Sequence, residues 1–263
     1  MNDPKLVALL QEFLEKGKPV TLCTIVRKTG SSPRDEGAKM LVDSDGNTYG
    51  TVGGGGMERR LIGEALKALA EGKPRTITFA LGVEPREGAI PIDSRCGGEL
   101  KIFMDIMKPD PRLIVIGSGH IGMPLAHLAH EAGFETIVVD DAPTMTRERF
   151  PHAAGIRSGP FEEEIEGLET TPADYVAVVH GESWYELVSL RGLLPRKTAY
   201  VGLLGSRSKA EKLSEQLVSE GLSAEDVARI SSPIGIEIGA ETPEEIAVSI
   251  VAELIKVRRL GAP

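Results

Sequence analysis

Near the middle of the chain stands Leu113-Ile114-Val115-Ile116-Gly117-Ser118-Gly119-His120-Ile121-Gly122, in which a short apolar segment runs into a G-x-G-x-x-G motif. The apolar segment predicts a buried β-strand, and the helical spacing from Met123 to Ala132 predicts an α-helix after it. Gly133 ends that helix, and a second apolar segment ends at Asp140. Glycines in such a strand-turn-helix unit allow a tight turn, close approach to a pyrophosphate and close helix packing. The stretch therefore predicts a dinucleotide-binding turn.

Residues beyond the glycines extend the predicted nucleotide site. Asp140 follows Gly119 by 21 positions, near the spacing of about 20 at which an acidic residue binds a ribose hydroxyl. No arginine accompanies Asp140-Asp141 to accept a 2′-phosphate, which favours NAD over NADP. Because ligands bind at the carboxyl ends of parallel strands, residues after two later apolar segments are included. The predicted nucleotide-binding residues are Gly117, Gly119, His120, Gly122, Asp140, Asp141, His180, Gly205, Ser206 and Arg207.

The second half of the chain has the pattern of an open parallel sheet. From Arg112 onwards, short apolar segments alternate with helical stretches, as in successive βαβ units. The last helix has the clearest start, with Thr242 as N-cap, Pro243 at the first helical position and Glu245 completing a capping box. These patterns predict a Rossmann-like, doubly wound parallel sheet. A fold of this kind with an empty nucleotide site is the alternative.

The first half mixes helices and strands without this alternation. Helical stretches over residues 4–16 and 57–69 are interspersed with apolar segments that predict strands and a β-hairpin. The prolines of Lys108-Pro109-Asp110-Pro111 exclude regular structure, so we place a domain boundary there. We therefore predict an α/β protein with an N-terminal α+β domain over residues 1–108 and a Rossmann-like domain over residues 109–263.

Composition and charge narrow the classes of partner. The 263 residues carry a net charge of −9, which disfavours electrostatic binding to nucleic acid or to anionic membranes. The start Met-Asn-Asp-Pro lacks the basic and apolar regions of a signal peptide, and no apolar run reaches the roughly 18 residues of a membrane span. The 2 cysteines cannot form a disulfide scaffold and fit a reducing compartment. We expect a cytoplasmic protein that binds neither nucleic acid nor membrane.

Three polar loops of the first domain are candidate ligand loops. Residues 29–34 and 51–58 combine backbone donors, hydroxyls and charge, so both are suited to face one ligand. In the third loop, Cys96 lies between Arg95 and two glycines, where a cation can stabilise a thiolate and a ligand can approach closely. A merely tolerated loop thiol is the alternative for Cys96. Cys23 lies within an apolar segment and is expected in the core.

Two histidines on the helix after the glycine motif have the spacing of a partial metal site. His127 and His130 are three positions apart, but no third ligand stands at a suitable spacing in the sequence. We therefore expect packing or surface roles for both.

Taken together, these motifs resemble the XdhC/CoxI family, whose members are accessory proteins of xanthine dehydrogenase and carbon monoxide dehydrogenase. The resemblance runs in order from about Val20 to Arg258, so it does not rest on one glycine motif. The motifs that carry it are Gly30-Ser31-Ser32-Pro33-Arg34, the glycine run ending at Glu58, Cys96-Gly97-Gly98, the 117–122 motif with Asp140-Asp141, Gly202-Leu203-Leu204-Gly205-Ser206-Arg207, Pro233-Ile234-Gly235 and Thr242-Pro243-Glu244-Glu245-Ile246-Ala247.

The resemblance implies a maturation factor that binds molybdenum cofactor (molybdopterin) and assists its sulfuration by a partner cysteine desulfurase or sulfurtransferase. It also implies delivery to a molybdenum hydroxylase apoenzyme, a homodimer, and an accessory role rather than stand-alone catalysis, so no catalytic residue is assigned. A pterin phosphate needs anion-binding loops, which the candidate loops can supply. The residues implied for the cofactor are Ser31, Ser32, Arg34, Gly54, Gly55, Glu58 and Cys96, the last as a molybdenum contact.

The chain departs from the family pattern at two places. After the strand ending at His180, relatives often continue with Asp and His residues, whereas this chain has Gly181-Glu182-Ser183-Trp184. Relatives also often carry Arg where Ala142 stands. The first departure weakens a catalytic role around His180, and the second weakens NADP specificity.

Two other functions compete with the maturation factor. In an NAD-dependent oxidoreductase acting on a small molecule, the glycine-rich loops of the first domain hold the substrate against the nicotinamide. The sequence offers this function no convincing acid–base pair beyond His120 and His180. The other competitor is an interaction protein that docks a hydroxylase while both ligand sites stay empty.

Overall fold

The computed structural model describes residues 3–261 and divides the chain into two units between Pro109 and Asp110. This division falls within the proline-containing break that the sequence marks as a boundary. Each unit has its own sheet of six strands. Residues 1, 2, 262 and 263 lie outside the described residues, and the expectation about a signal peptide rests partly on the first two of them.

Unit 1 is a mostly antiparallel sheet with two helices. The strand order is β3-β2-β1-β6-β4-β5, in which only the β4–β5 pair is parallel. Its elements are α1 (Asp3–Glu15), β1 (Val20–Gly30), β2 (Lys39–Val42), β3 (Thr48–Gly50), α2 (Gly55–Glu71), β4 (Arg75–Leu81), β5 (Ala89–Ile92) and β6 (Gly98–Met107).

Two helices bury opposite faces of this sheet because successive side chains of a strand point to opposite sides. The apolar face of α2, including Leu61 and Ala65, packs with Cys23 and Ile25 of β1. Val20, from the other face of β1, packs under α1. Sequence analysis missed β5, whose Pro91 is tolerated because β5 lies at the edge of the sheet.

Unit 2 is a parallel sheet in the order β9-β8-β7-β10-β11-β12. The predicted α/β fold class, with its doubly wound parallel sheet, is therefore confirmed. Its elements are β7 (Arg112–Ile116), α3 (Gly122–Glu131), β8 (Glu135–Val139), β9 (Gly155–Arg157), α4 (Phe161–Glu166), β10 (Asp174–Val178), α5 (Ser183–Leu193), β11 (Tyr200–Leu203), α6 (Arg207–Ser219), α7 (Ala224–Val227), β12 (Ile230–Ser231) and α8 (Pro243–Leu260).

Helices cover both faces of the parallel sheet, so the central strands are apolar throughout. Leu113 and Val115 of β7 belong to the cluster that includes residues of α3 and α8. Ile114 and Ile116 belong to the opposite cluster, with residues of α4, α5 and α6. The strand order reverses between β7 and β10, which is where ligands bind in folds of this kind.

Helix α8 starts as its sequence predicts. The Thr242 hydroxyl accepts the Glu245 N–H at 3.2 Å, and the Glu245 carboxylate accepts the Thr242 N–H at 3.0 Å. These reciprocal bonds satisfy two amides that the helix leaves unpaired at its N-terminus. The buried face of α8 then packs against the sheet through Ile250 and Leu254.

We expect Thr242→Ala to destabilise unit 2 by about 1 kcal/mol, since the substitution removes the N-cap acceptor. Thr242→Ser keeps a hydroxyl at the same place and is the matched control, expected to unfold close to the wild type. Urea unfolding followed by circular dichroism measures the difference. An alanine variant that unfolds at the wild-type urea concentration would show that the capping box contributes nothing.

Candidate functional site

The glycine turn after β7 lies in backbone contact with the end of β10. Gly117 has a φ of 108°, and a Cβ at this position would lie 2.7 Å from the His180 Cα. A Cβ on Gly122 would collide with the Gly117 carbonyl oxygen, whereas one on Gly119 would meet open space. Two glycines of the motif therefore close the turn, and the middle glycine leaves room for a ligand. This cradle fits the pyrophosphate of a dinucleotide.

Asp140 holds the glycine turn in place through hydrogen bonds. Its Oδ2 accepts the Ser118 N–H at 2.6 Å, and its Oδ1 accepts the Ala142 N–H at 3.1 Å. The side chain is buried at 4% exposure. Each carboxylate oxygen keeps a second lone pair, so Asp140 can still accept a bond from a ribose hydroxyl. Asp140, which the sequence predicts to bind a ribose hydroxyl, therefore also holds the backbone of the turn in place.

An aromatic stack forms one wall of the crevice. The rings of His180 and Tyr185 lie 3.7 Å apart between centroids and nearly parallel. The Tyr185 hydroxyl donates to Asp141 Oδ1 at 3.0 Å, and this hydrogen bond raises the pKa of Tyr185 above its usual value. His180 Nε2 lies 3.8 Å from Asp140 Oδ1, while its buried Nδ1 has no hydrogen-bond partner among residues 3–261. The side chains of these four residues, two acids, a histidine and a tyrosine, therefore lie together beside the glycine turn.

Arg149 brings a cation to the same crevice. Its guanidinium donates to the Ser118 carbonyl oxygen at 3.2 Å. The crevice has a volume of about 600 Å³ and is lined by Gly117, Ser118, Gly119, His120, Asp140, Asp141, Ala142, Pro143, Thr144, Arg149, His180, Glu182 and Tyr185. Arg149, Glu182 and Tyr185 were not predicted, because they reach the crevice from loops and a helix start that no local motif ties to the glycines.

One predicted segment of the nucleotide site lies apart from the crevice lining. Ser206 caps α6, its hydroxyl accepting the Lys209 N–H at 3.3 Å. Arg207 lines a separate shallow surface groove with residues of α6 and β12. Lys209 forms an ion pair of 2.7 Å with the fully buried Glu186. The structure therefore brings together the first seven of the ten predicted nucleotide residues around one turn, and Gly205, Ser206 and Arg207 do not line it.

The three candidate loops of unit 1 are adjacent in space. Gly30 pairs with Gly98 at the end of the long β1–β6 ladder, and the Ser31 N–H donates to the Gly97 carbonyl oxygen at 3.3 Å. A Cβ on Gly98 would lie 2.8 Å from the Ser31 nitrogen. At the second loop, a Cβ on Gly53 would lie 2.5 Å from the Pro33 side chain. Close contacts at glycines therefore hold the three loops together.

Glu58 organises the glycine run before α2. Its Oε1 accepts the Thr51 hydroxyl at 2.6 Å, the Val52 N–H at 2.9 Å and the Gly53 N–H at 3.2 Å. Partial burial opposes ionisation, but bonds from Thr51 and the backbone outweigh it and lower the pKa of Glu58. The carboxylate therefore holds the loop in place.

The remaining predicted cofactor residues are exposed or half-buried. Ser32 donates to the Arg34 carbonyl oxygen at 2.6 Å, and Ser31 and the Arg34 side chain are exposed. Gly54 and Gly55 have open space where a Cβ would stand. Cys96 is half-buried against the core cluster of unit 1, whereas Cys23 is fully buried and burial raises its pKa to about 12. Of the two thiols, Cys96 is thus the one in a ligand loop.

A third histidine joins the two on α3. The rings of His130 and His152 stack with centroids 4.9 Å apart, and His127 lies 5.7 Å from His152. His152 comes from the segment between β8 and β9, which sequence spacing did not connect with α3. No cluster of three or more His, Cys, Asp or Glu side chains within residues 3–261 is arranged to hold a metal ion.

Comparison with known proteins identifies the family. Residues 113–254 match the family described as XdhC Rossmann domain, and residues 13–80 match the XdhC and CoxI family. The chain belongs to the XdhC/CoxI family. The resemblance found in the sequence is therefore confirmed.

Two relatives and one solved structure align with most of this chain. YqeB of Escherichia coli (strain K12), named as uncharacterized, is 37% identical over 246 residues, which cover 93% of this chain but only 44% of YqeB. The molybdenum cofactor insertion chaperone PaoD of the same strain is 26% identical, with 94% of this chain and 86% of PaoD covered. A crystal structure described as a xanthine dehydrogenase from Bacillus halodurans aligns with a TM-score of 0.51 and 25% identity, covering 96% and 95%.

No helix within residues 3–261 is both long enough and apolar enough to cross a membrane.

We expect alanine substitutions at two glycines of this turn to affect different properties: ligand binding at Gly119 and stability at Gly122. Gly119→Ala places its methyl group in open space and should keep the melting temperature, and it should weaken binding of NAD, the ligand that the sequence predicts for this turn, at least about tenfold. Gly122→Ala collides with the Gly117 carbonyl oxygen and should lower the melting temperature by several degrees. Calorimetry measures both quantities. If Gly119→Ala bound NAD like the wild type, the ligand would not approach this turn.

We expect Glu58→Gln to destabilise unit 1 in a pH-dependent way. Because the folded-state pKa is lowered, the carboxylate contributes stability above its unfolded pKa of about 4.3, and this contribution is lost as the pH falls through the folded value. At pH 7 the loss should be about 1 kcal/mol, the size of a lost helix cap. Urea unfolding at pH 7 and below pH 4 measures it. A wild-type minus variant difference that persisted in acid would contradict the assignment.

Proposed function

We propose that the chain is an accessory protein that binds molybdenum cofactor and assists its delivery to a xanthine dehydrogenase-type molybdenum hydroxylase. In this function the cofactor is cargo held by unit 1, and a nucleotide, NAD in preference to NADP, binds the glycine crevice of unit 2. The observation that carries the proposal is the match to the insertion chaperone PaoD over 94% of this chain and 86% of PaoD. A match over nearly the whole of both chains concerns both units.

The geometry of unit 1 supports a cargo site for a phosphate-bearing pterin. Three loops meet through backbone contacts at Gly30 and Gly98 and through the Pro33 side chain at Gly53, so they present amides and hydroxyls to one region. Gly54 and Gly55 stand at the start of α2 with open space where a Cβ would be, so an anion can approach the helix N-terminus, although Glu58 already accepts the Gly54 amide. Ser31, Ser32 and Arg34 add further polar groups, and Cys96 adds a thiol of the type that binds soft metals. These residues are the ones that would hold the cofactor.

The partners follow from the same proposal. A molybdenum hydroxylase apoenzyme receives the cargo, and a cysteine desulfurase or sulfurtransferase supplies the sulfur while the cofactor is held. We propose that the protein acts as a cytoplasmic homodimer. The crevice of unit 2 fits a dinucleotide because its middle glycine is open and Arg149 places a cation beside the turn. A bound nucleotide would regulate release of the cargo.

An NAD-dependent oxidoreductase is the second candidate, favoured by one feature of the crevice. His180 and Tyr185 stack beside the glycine turn, so two titratable groups stand near the place where a dinucleotide would bind. The raised pKa of Tyr185 disfavours it as a base at neutral pH. This function requires reduction of NAD with a small substrate, whereas the accessory function does not.

Anaerobic titration of the full chain with molybdenum cofactor tests the proposal, with bound molybdenum and pterin measured separately after gel filtration. We expect stoichiometric binding, weakened at least about tenfold by Cys96→Ala because a metal contact is lost. Cys23→Ala is the matched control, since it removes the other thiol from the core without touching the loops.

The result has distinct outcomes for the two candidates. Binding that Cys96→Ala weakens and Cys23→Ala leaves unchanged supports the cargo site in unit 1. If the wild-type chain bound neither molybdenum nor pterin, the accessory proposal would fail. NAD reduction by small substrates, lost in Gly119→Ala, would then support the oxidoreductase.

A further inference from the structure

The sheet of unit 1 has a polar cavity that neither site uses. Its volume is about 290 Å³, and its lining comes from β1, β4, β6, the first residue of β5 and the segment between β4 and β5. This volume is at the lower end of the range for small-molecule pockets. Its charged lining residues are the cations Arg27, Arg86 and Lys101 and the carboxylates Glu87 and Glu99.

Two cations face each other across neighbouring strands in this cavity. Arg27 of β1 is paired directly with Lys101 of β6 in the antiparallel register, just after an irregularity between Ile25 and Arg27. Directly opposite residues point to the same face with Cβ atoms about 5 Å apart, and like charges in this arrangement destabilise a sheet. Both side chains are exposed, and an anion bound between them would offset their repulsion.

The two carboxylates of the lining leave one of its three cations uncompensated. Glu99 lies 3.4 Å from the Arg86 guanidinium and so balances that cation, while Glu87 is exposed on the same segment as Arg86. Neither Arg27 nor Lys101 forms an ion pair within residues 3–261. By contrast, Lys28, next to Arg27 in sequence, forms an ion pair of 2.6 Å with Asp35.

Two threonine hydroxyls belong to the same cavity. Thr78 of β4 is paired with Lys101, so Arg27, Lys101 and Thr78 form one row across three strands. Thr29 lies two positions after Arg27 on the same face and opposite Glu99. Two cations beside two hydroxyl donors suit a tetrahedral oxyanion, which accepts several charge-assisted hydrogen bonds.

We propose that this cavity binds a phosphate group, either that of a monoester or free phosphate, through Arg27 and Lys101. A monoester carries a charge of about −1.5 to −2 at pH 7, which offsets the two cations. The source of the phosphate group is either a pterin phosphate, as in the cargo of the proposed function, or free inorganic phosphate. Only the pterin source rests on the proposed function, because the anion site itself follows from the charges.

Isothermal titration of the full chain with inorganic phosphate, in chloride buffer of matched ionic strength, tests the site. We expect Arg27→Gln and Lys101→Gln each to weaken phosphate binding about tenfold, since each removes a charged donor. Lys18→Gln, at an exposed residue before β1, is the control and should bind phosphate like the wild type.

Thermal melting separates this role from a structural one. Without phosphate, Arg27→Gln and Lys101→Gln should melt at or above the wild-type temperature, because one of two repelling charges is gone. Phosphate should raise the melting temperature of the wild type more than that of either variant. Wild-type protein that binds no phosphate, or variants that bind it as tightly as the wild type, would overturn the proposal.

A second titration distinguishes the two sources. Tighter binding of 6-hydroxymethylpterin phosphate than of inorganic phosphate, with loss in Arg27→Gln, supports the pterin source. Equal binding of the two supports free phosphate at the same site. Failure of phosphate binding leaves the molybdenum cofactor titration with Cys96→Ala unaffected, so the two proposals fail independently.

Discussion

Close backbone contact at the reversal of the strand order is the constraint on which unit 2 depends. Gly117 lies against the backbone of His180, and Gly122 lies against the carbonyl oxygen of Gly117. No side chain fits at either place, so β7, α3 and the end of β10 meet in one arrangement. The crevice beside Gly119 lies at the same place, because the loops after β7 and β10 diverge where the strand order reverses.

Both units use a carboxylate to hold a glycine loop. Asp140 accepts the Ser118 amide, and Glu58 accepts the amides of Val52 and Gly53. A glycine-rich segment has much conformational freedom in the unfolded chain, and such bonds help to offset the entropy lost on folding. The acidic residues near the candidate sites therefore hold the loops in place.

Cations lie at the candidate sites of both units although the chain is acidic overall. The chain has a net charge of −9, yet each candidate site contains a cation. Arg149 stands beside the glycine turn of unit 2, and Arg27 and Lys101 face each other in unit 1. The crevice of unit 2 also contains the carboxylates of Asp140, Asp141 and Glu182, while the net charge of the chain disfavours large polyanions.

The amino-acid sequence by itself determined the fold class, the glycine turn with Asp140, the capped last helix and the family, because each depends on local spacing. It missed β5, β9 and β12, which are too short for a periodic signal and exist through pairing with neighbouring strands. Only the tertiary structure placed Arg149 and Tyr185 beside the glycine turn, His152 beside His130, and Arg27 opposite Lys101. These contacts join residues far apart in sequence, and strand register and loop packing, which no local pattern encodes, determine them.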